Sequence, residues 1–308
     1  MTGGRAMLYR PARPVALDPT LAPLAQGSTD PTIRRGPEGW WLAIRTEAGT
    51  ASLLLRETSG GITARAWGDG ADAALDSVPA LLGARDDEGG FDASRHPLVR
   101  ELHRRMPGLR LPATGRILVA LLPSILGQKV TGIEAKRSWR ELVTLAGEHA
   151  PGPAPLGLRV PPALAGWRGI PSWSWHRCGV TPQRADTIQR VLRVGDALER
   201  AATRSAAEAA GALRTVAGVG VWTAHETVQR THGDPDRVSV GDLHLSRRVG
   251  AALLGDPALG RGVDDAAMLE LLEPWRGHRQ RVVRLIEAAR VGYERRGPRF
   301  AIPAHRTR

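Results

Sequence analysis

The chain has 308 residues, enough for two domains, and its 43 Lys and Arg residues against 31 Asp and Glu give a net charge of +12. This excess favours a polyanionic partner, although nearly all the basic residues are arginines, and heavy arginine use also reflects genome composition. The single cysteine, Cys178, excludes internal disulfides and a multi-cysteine iron–sulfur cluster, which fits a cytoplasmic protein. The sequence contains no apolar run of about eighteen residues, so we expect no membrane span.

The first third of the chain predicts a tail and a small α+β domain. Residues 1–30 are rich in Pro, Gly and Ala without periodicity, which predicts a loosely ordered tail. Apolar runs at 40–44, 51–55 and 62–67, separated by glycine-containing turns, predict strands, and residues 71–83 predict a helix. We therefore place an N-terminal α+β domain at residues 31–112.

From residue 113 to residue 296 the pattern predicts a helical domain. Two capping-box sequences mark helix starts, Thr131 with Glu134 and Ser205 with Glu208. Thr181 before a proline predicts a helix that runs to about residue 198. Further helices are expected at about 222–231, 242–254, 264–272 and 275–292. Residues 297–308 read as a basic tail.

A glycine hairpin followed directly by a helix is the most informative motif. Gly218-Val219-Gly220 leads into a helix that starts near Trp222. Glycine permits positive φ and close approach to the backbone, and the bare N–H groups at a helix start bind phosphate. An ordinary turn between two helices would have the same sequence, so the motif alone leaves both interpretations open.

Asp242 follows about twenty residues later, in a Val-Gly-Asp-Leu turn before another helix. From its position alone we would assign it as a helix cap, which Asp fills in many proteins. A fixed carboxylate beside a phosphate-binding hairpin would also stabilise positive charge on a sugar ring, or orient a water for attack. One residue can serve both purposes.

Several stretches of the chain, in one order, resemble the helix-hairpin-helix DNA glycosylase superfamily, and within it the branch of 3-methyladenine DNA glycosylase II. They are LHRRMPGLR (102–110), SILGQKVT (124–131), VAGVGVWTA (216–224), GDPD (233–236), VGDLHL (240–245) and EPWRGHR (273–279). The likeness covers most of residues 96–292. It implies an α+β fold in which a small antiparallel-sheet N-terminal domain precedes an all-helical helix-hairpin-helix domain.

The resemblance also implies roles for single residues. Asp242 would be the catalytic carboxylate. Trp222 stands where strand-cutting members carry a nucleophilic lysine, which implies an enzyme that leaves the strand intact and stacks the indole on an extruded base. The other expected site residues are Gln128 and Glu226 in the base pocket, Lys129 as a wedge in the DNA, and Gly218, Val219, Gly220 and Thr223 at a phosphate.

The resemblance implies no cofactor, although hairpins of this kind can hold a monovalent cation on their backbone carbonyls. His225 and Glu226 are not a metal motif, because no second histidine follows at the required spacing. The pocket departs from the branch, since Glu226, Arg284 and Leu285 stand where aromatics are usual. Four residues in the preceding loop region either compensate or are packing residues: Trp167, Trp173, Trp175 and His176.

The sequence therefore predicts a monomeric protein that binds double-stranded DNA at the nucleoid, flips out an alkylated purine and hydrolyses its N-glycosidic bond in base excision repair. Two alternatives stay open. One is a non-catalytic DNA-binding protein that kept the hairpin but lost the pocket. The other is a glycosylase for a different lesion.

Overall fold

The computed structural model describes residues 4–291, in which one antiparallel sheet is followed by a long succession of helices. The strands are β1 (Arg5–Tyr9), β2 (Ile33–Gly36), β3 (Gly39–Thr46), β4 (Gly49–Thr58) and β5 (Gly61–Trp67). They lie in the order β1-β5-β4-β3-β2, with every neighbouring pair antiparallel. Later in the chain, β6 (Glu148–His149) and β7 (Arg159–Val160) form a small separate pair. The predicted α+β class is confirmed.

The α-helices lie mostly after the sheet, and none within residues 4–291 is long and apolar enough to cross a membrane. They are α1 (Leu17–Leu21), α2 (Ala71–Asp76), α3 (Val78–Leu81), α4 (Pro97–Arg105), α5 (Ile117–Leu126), α6 (Gly132–Ala146), α7 (Leu164–Arg168), α8 (Ser172–Arg177), α9 (Pro182–Arg193), α10 (Gly195–Glu199), α11 (Ala206–Arg214), α12 (Val221–Thr231), α13 (Leu245–Leu254), α14 (Pro257–Gly260), α15 (Asp265–Leu272) and α16 (Arg279–Ala288). Short 3-10 helices lie at Ala22–Leu24, Ala93–Arg95, Arg200–Thr203 and Glu273–Trp275.

The N-terminal residues are part of the sheet domain, so the predicted loosely ordered tail at 1–30 is wrong for the part that the structure describes. β1 pairs with β5 from Arg5 opposite Ala66 to Tyr9 opposite Ile62. The side chain of Leu21 in α1 is fully buried. Local composition did not predict that these N-terminal residues are structured, because β1 gains its structure by pairing with β5, which lies far along the sequence.

Two predicted helices are divided and a third begins later than predicted, in each case near a proline or a glycine. Residues 71–83 form α2 and α3, with Pro79 in the first turn of α3, where its missing N–H is tolerated. Residues 182–199 form α9 and α10, which meet at Gly195. Before α16, Gly277 has a φ of +91°, so the helix begins at Arg279. The predicted basic tail at 297–308 lies outside the described residues.

Two buried clusters form the helical part. The first joins α5, α6, α9, α11 and α12. The second includes Val99 and Leu102 of α4 together with Val249 of α13 and Val282 of α16. Helix α4, which precedes the predicted domain boundary at residue 112, therefore packs with the C-terminal helices. An amphipathic helix buries its apolar face wherever a complementary surface exists, and its place in the chain does not decide which.

One fully buried ion pair joins the segment after α3 to the last helix. Arg281 donates to both carboxylate oxygens of Asp86, at 2.6 and 3.1 Å, and the two side chains are 2% and 0% exposed. Leu111 N donates to the same carboxylate at 3.1 Å. Because both charged groups are buried away from water, each needs the opposite charge of the other to offset the free energy of its desolvation.

Candidate active site

The hairpin between α11 and α12 has a conformation that requires glycine at its first position. Gly218 has a φ of +98°, and a Cβ there would lie 2.3 Å from Oγ1 of Thr187 in α9. Val219 is 5% exposed and anchors the hairpin in the core, while its N–H donates to Val216 O at 2.9 Å. The side chain and the N–H of Val219 are therefore used inside the protein, and its place at a phosphate stays a prediction.

Gly220 differs from Gly218. Its φ is −88°, and a Cβ added to it would meet no atom within 4 Å. It is exposed, and α12 begins at the next residue without any side chain capping its first turn. The N-terminus of this helix therefore presents uncapped N–H groups at a surface with room for another molecule.

Asp242 lies in a tight turn before α13. Its Oδ1 accepts hydrogen bonds from His244 N at 2.9 Å and Leu245 N at 3.0 Å, so the carboxylate caps the start of the helix. Gly241 before it has a φ of +92°, and its N–H donates to Oδ2 of Asp265 at 2.8 Å. Asp242 therefore has the capping role that its sequence position indicates, and this role uses only Oδ1.

The second oxygen of Asp242 faces Trp222. Nε1 of the indole lies 3.4 Å from Oδ2, a long hydrogen bond, and the indole is half-buried. On its other side, the indole packs near the turn after α5, where a Cβ at Gly127 would lie 3.4 Å from Cη2 of Trp222. The structure therefore brings Trp222 and Asp242 together.

The loop that carries Asp242 is fastened to α12 by three side chains of that helix. His225 Nδ1 lies 2.7 Å from Val238 O. Gln229 Nε2 donates to Ser239 Oγ at 2.9 Å, and Ser239 Oγ donates to Glu226. Because hairpin, helix and loop form one connected unit, the uncapped helix end and the carboxylate keep a fixed mutual position.

Glu226 was predicted to line the base pocket. In the structure it forms an ion pair with Arg230, one helical turn later, at 2.8 Å, and it also accepts the hydroxyl of Ser239. The charge of Glu226 is largely balanced by Arg230. The structure thus places Glu226 beside the Asp242 loop as half of a neutral pair.

The segment predicted to be a loose tail contacts the helices beside this pair. Arg230 Nε donates to Pro23 O at 3.2 Å, and Arg284 of α16 approaches Pro19 O at 3.4 Å. Leu285, predicted at an aromatic pocket position, is 1% exposed and belongs to the core. The sequence analysis did not predict that Arg230 pairs with Glu226, nor that residues 19–23 lie beside this pair. The four-residue spacing of Glu226 and Arg230 was the one signal available.

Gln128 and Lys129 lie in the turn between α5 and α6. Gln128 Nε2 donates to Gly218 O at 3.0 Å and to Thr223 Oγ1 at 2.8 Å, so its amide contacts the hairpin. Thr223 is 2% exposed, which removes its side chain from the predicted phosphate site. Lys129 is exposed, as a wedge requires, with a φ of +54°.

The tryptophans before the hairpin are mainly packing residues. Trp167 and Trp175 are 3% and 2% exposed and stack in series with Trp139, at centroid distances of 5.9 and 6.2 Å. Trp173 is exposed, with the guanidinium of Arg177 over its ring at 5.6 Å. The buried pair cannot replace the missing aromatic side chains of the pocket.

A cation at this site would have to use hairpin carbonyls. In residues 4–291, no group of three or more His, Cys, Asp or Glu side chains is arranged to hold a metal ion. Val216 O already accepts from Val219 N, and Gly218 O accepts from Gln128. A carbonyl oxygen has two lone pairs, so these bonds leave capacity for a monovalent cation.

Comparison with known proteins identifies the fold. No family model and no curated protein matches the sequence. The 3-methyladenine DNA glycosylase of Archaeoglobus fulgidus superposes with a TM-score of 0.75 at 16% identity, over 93% of this chain and 98% of that one. The fold is that of the helix-hairpin-helix DNA glycosylases.

Two further solved structures have the same fold. The apo form of the 8-oxoguanine glycosylase/lyase of Clostridium acetobutylicum gives a TM-score of 0.69 at 14% identity, over 93% of this chain and 97% of that one. The 3-methyladenine DNA glycosylase of Schizosaccharomyces pombe, in complex with abasic DNA, gives 0.50 at 16% identity, over 66% and 94%. Solved glycosylases with different printed substrates therefore share the fold, and the fold by itself does not specify a substrate.

The structure brings the GDPD and EPWRGHR segments into contact. Oδ1 of Asp236 accepts from Gly277 N at 2.8 Å and from Arg279 Nε at 2.8 Å, and Oδ2 accepts from Arg279 Nη2 at 2.5 Å. Burial tends to raise the pKa of Asp236, but the hydrogen bonds from Arg279 and Gly277 outweigh it and hold the pKa below its ordinary value. The pair fastens the segment after α12 to the start of α16.

Asp236→Asn should therefore destabilise the protein in a pH-dependent way. A carboxylate with a lowered pKa stabilises the fold above its unfolded pKa of about 3.8, and this contribution is lost as pH falls through the folded value. We expect a loss on the order of 1–3 kcal/mol near neutral pH, which shrinks below about pH 4. Urea midpoints at several pH values measure it. A constant difference across pH would show that the charge of Asp236 contributes nothing.

Proposed function

We propose that this protein is a monofunctional DNA glycosylase that flips a damaged purine out of duplex DNA and hydrolyses its N-glycosidic bond. The observation that carries the proposal is the geometry of Asp242. One oxygen of its carboxylate is fixed by backbone N–H groups, and the other is 3.4 Å from Trp222 Nε1. A carboxylate held this way beside an uncapped helix N-terminus can act on a sugar whose phosphate binds that helix.

The mechanism needs little from the protein beyond this carboxylate. In hydrolysis the bond from C1′ to the base nitrogen breaks, its electron pair leaves with the base, and a water oxygen bonds to C1′. Positive charge develops on the sugar as the bond lengthens. The second oxygen of Asp242, which also faces Trp222 Nε1, stabilises that charge, accepts a hydrogen bond from the attacking water and takes up the proton that this water loses as its oxygen bonds to C1′. Because two backbone groups already orient the carboxylate, no reorganisation is needed during the reaction.

The phosphate would bind at Gly220 and the first turn of α12. Gly220→Val should fold normally, because the added side chain meets open space, but it should weaken duplex binding by blocking close approach of the phosphate. Binding isotherms at several salt concentrations measure the effect, and the log–log salt slope should fall by about 0.9 if one phosphate contact is lost.

The matched control for this prediction is Gly218→Ala. Its Cβ would clash with Thr187 and its φ is positive, so this variant should lose stability as well as binding. Unchanged affinity and salt slope in Gly220→Val would exclude a phosphate at this helix end.

The lesion should be a purine whose glycosidic bond is already weak. Trp222 is the one aromatic side chain beside Asp242 among those predicted for the pocket, and the pair of Glu226 with Arg230 offers little stacking energy. A base alkylated at N3 or N7 is a good leaving group and needs less help from the pocket. We therefore expect faster release of 3-methyladenine and 7-methylguanine than of hypoxanthine.

Base release tests the function directly. Duplexes that each carry one 3-methyladenine, 7-methylguanine, hypoxanthine, 8-oxoguanine or uracil are incubated with excess protein, and the free base is quantified. Release of the alkylpurines first supports the proposal. Faster release of a neutral base would favour the alternative of a different lesion. Binding of all duplexes without any release would favour the non-catalytic alternative.

The product should be an abasic site in an unbroken strand, because an indole at position 222 cannot form a Schiff base with the sugar. We expect strand breaks only after alkali, and no protein–DNA adduct after borohydride. The chain has two lysines, and Lys136 packs against Gly27, so only Lys129 is near the hairpin. Adducts that disappear in Lys129→Ala would contradict the monofunctional assignment.

A monovalent cation on the hairpin carbonyls belongs to the same proposal. It would place a positive charge beside the phosphate without involving the reaction itself. Potassium should then strengthen duplex binding more than tetramethylammonium at equal ionic strength, because only the smaller ion fits between carbonyls. Equal affinity in the two salts would exclude the cation.

A further inference from the structure

One side chain connects the turn between α5 and α6 to the hairpin. Nε2 of Gln128 lies 3.0 Å from Gly218 O and 2.8 Å from Thr223 Oγ1. A carbonyl oxygen only accepts hydrogen bonds, so the nitrogen of the amide must be the atom that faces it. Both N–H groups of the amide are thereby used on the hairpin and on the first turn of α12.

The residue after Gln128 has an uncommon backbone conformation. Lys129 has a φ of +54°, its side chain is exposed, and it makes no hydrogen bond or ion pair with the residues at positions 4–291. A long side chain adopts left-handed backbone rarely and keeps it only where the surroundings hold it. Within residues 4–291, no hydrogen bond or ion pair of Lys129 itself does so.

The ends of this turn are held separately. Arg184 Nη1 donates to Leu126 O at 2.6 Å, where α5 ends. Thr131 and Glu134 form the capping box that begins α6. Between these two anchors, Gln128 is the side chain through which the turn reaches the hairpin. The conformation of Lys129 therefore depends on a bond to the same element that would bind the phosphate.

We propose that Gln128 is a positioning residue that couples phosphate binding at the hairpin to insertion of Lys129 into the DNA. The inference rests on the proposed function and replaces the earlier assignment of Gln128 to the base pocket. Without its amide, the turn between Leu126 and Thr131 can leave the left-handed conformation, and Lys129 no longer points from the surface in a fixed direction. The carboxylate of Asp242 is untouched by this change.

The coupling matters only where a base must be pulled out of a paired stack. In a fully paired duplex, the gap left by the base has to be filled, and a misplaced Lys129 fills it poorly. In an unpaired bubble, the base is already free of its partner, and the wedge has little to do. Loss of Gln128 should therefore affect the two substrates unequally.

The test is single-turnover excision by Gln128→Met, a neutral side chain of similar length that leaves the charge facing the DNA unchanged. We expect about tenfold slower excision from the paired duplex, which corresponds to the loss of two ordinary hydrogen bonds, and less than about twofold from the bubble. The same preparation acts on both substrates, so a partly unfolded variant would not change their ratio. Gln183→Met, at an exposed position in α9, is the control and should change neither rate.

A double-mutant cycle with Lys129→Ala completes the test. If Gln128 acts through Lys129, the change to Met adds nothing in the Lys129→Ala background. Equal losses on paired and bubble DNA, or additive losses in the double variant, would overturn the inference and leave the proposed function standing. A wild-type protein that binds both DNAs and releases no base from either would overturn the proposed function, and the inference with it.

Discussion

Asp242→Asn should slow single-turnover base excision by about 10²–10³-fold while DNA binding changes little. The carboxamide can keep the turn, because its oxygen can still accept the N–H groups of His244 and Leu245 that now bind Oδ1. What disappears is the negative charge on the side that faces Trp222. The variant therefore separates the capping role of Asp242 from its electrostatic role.

Three measurements make this test decisive. Excision is followed with enzyme in excess, duplex affinity by titration, and stability by thermal unfolding. Excision within a few-fold of wild type would mean that Asp242 is only a helix cap. A large loss of stability or affinity together with activity would mean that the turn had collapsed. In that case, Asp242→Ser, which also caps helices, would show whether restoring the cap restores activity.

Asp86→Ala should cost about 3–5 kcal/mol of folding stability, the largest loss that we expect from a single substitution away from the site. Arg281 is 2% exposed, and both oxygens of Asp86 accept its hydrogen bonds. Removing the carboxylate leaves a buried guanidinium without its main counter-charge, and Leu111 N loses its acceptor as well. Urea unfolding monitored by tryptophan fluorescence measures the loss.

Two comparisons define what this loss means. Glu101→Ala breaks an exposed pair with Arg104 on α4 and should cost less than about 1 kcal/mol. The double variant Asp86→Leu with Arg281→Met replaces the buried pair with apolar side chains and should recover much of the stability. An Asp86→Ala variant as stable as Glu101→Ala would show that other partners of Arg281 suffice, such as Glu88 at 3.4 Å.

Local signals in the sequence were sufficient for some elements. The apolar runs at 40–44, 51–55 and 62–67 correspond to β3, β4 and β5, since alternation and turn residues act over a few positions. Both capping boxes are present as written, Thr131 with Glu134 and Ser205 with Glu208, because every partner lies within three residues.

Longer-range pairings decided the N-terminal region and the neighbours of the site. β1 pairs with β5, and α4 packs on helices more than a hundred residues later, so local composition predicted a tail at β1 and could not show where α4 packs. The same limit applies to Glu226. Its type and position were readable, but its neutralisation by Arg230 and Ser239 depends on how the loop after α12 folds back.

The sequence by itself determined the motif that matters most: a glycine hairpin, a helix start and an aspartate in a turn, each defined by backbone conformations that few residues can adopt. Only the tertiary structure decided which of these residues contact one another and which are buried. It placed Trp222 against the second oxygen of Asp242 and buried Thr223 and Val219. It also turned Gln128 toward Gly218. These contacts join residues twenty to ninety positions apart, and hydrogen bonds across such distances form only when packed helices bring the donors and acceptors together.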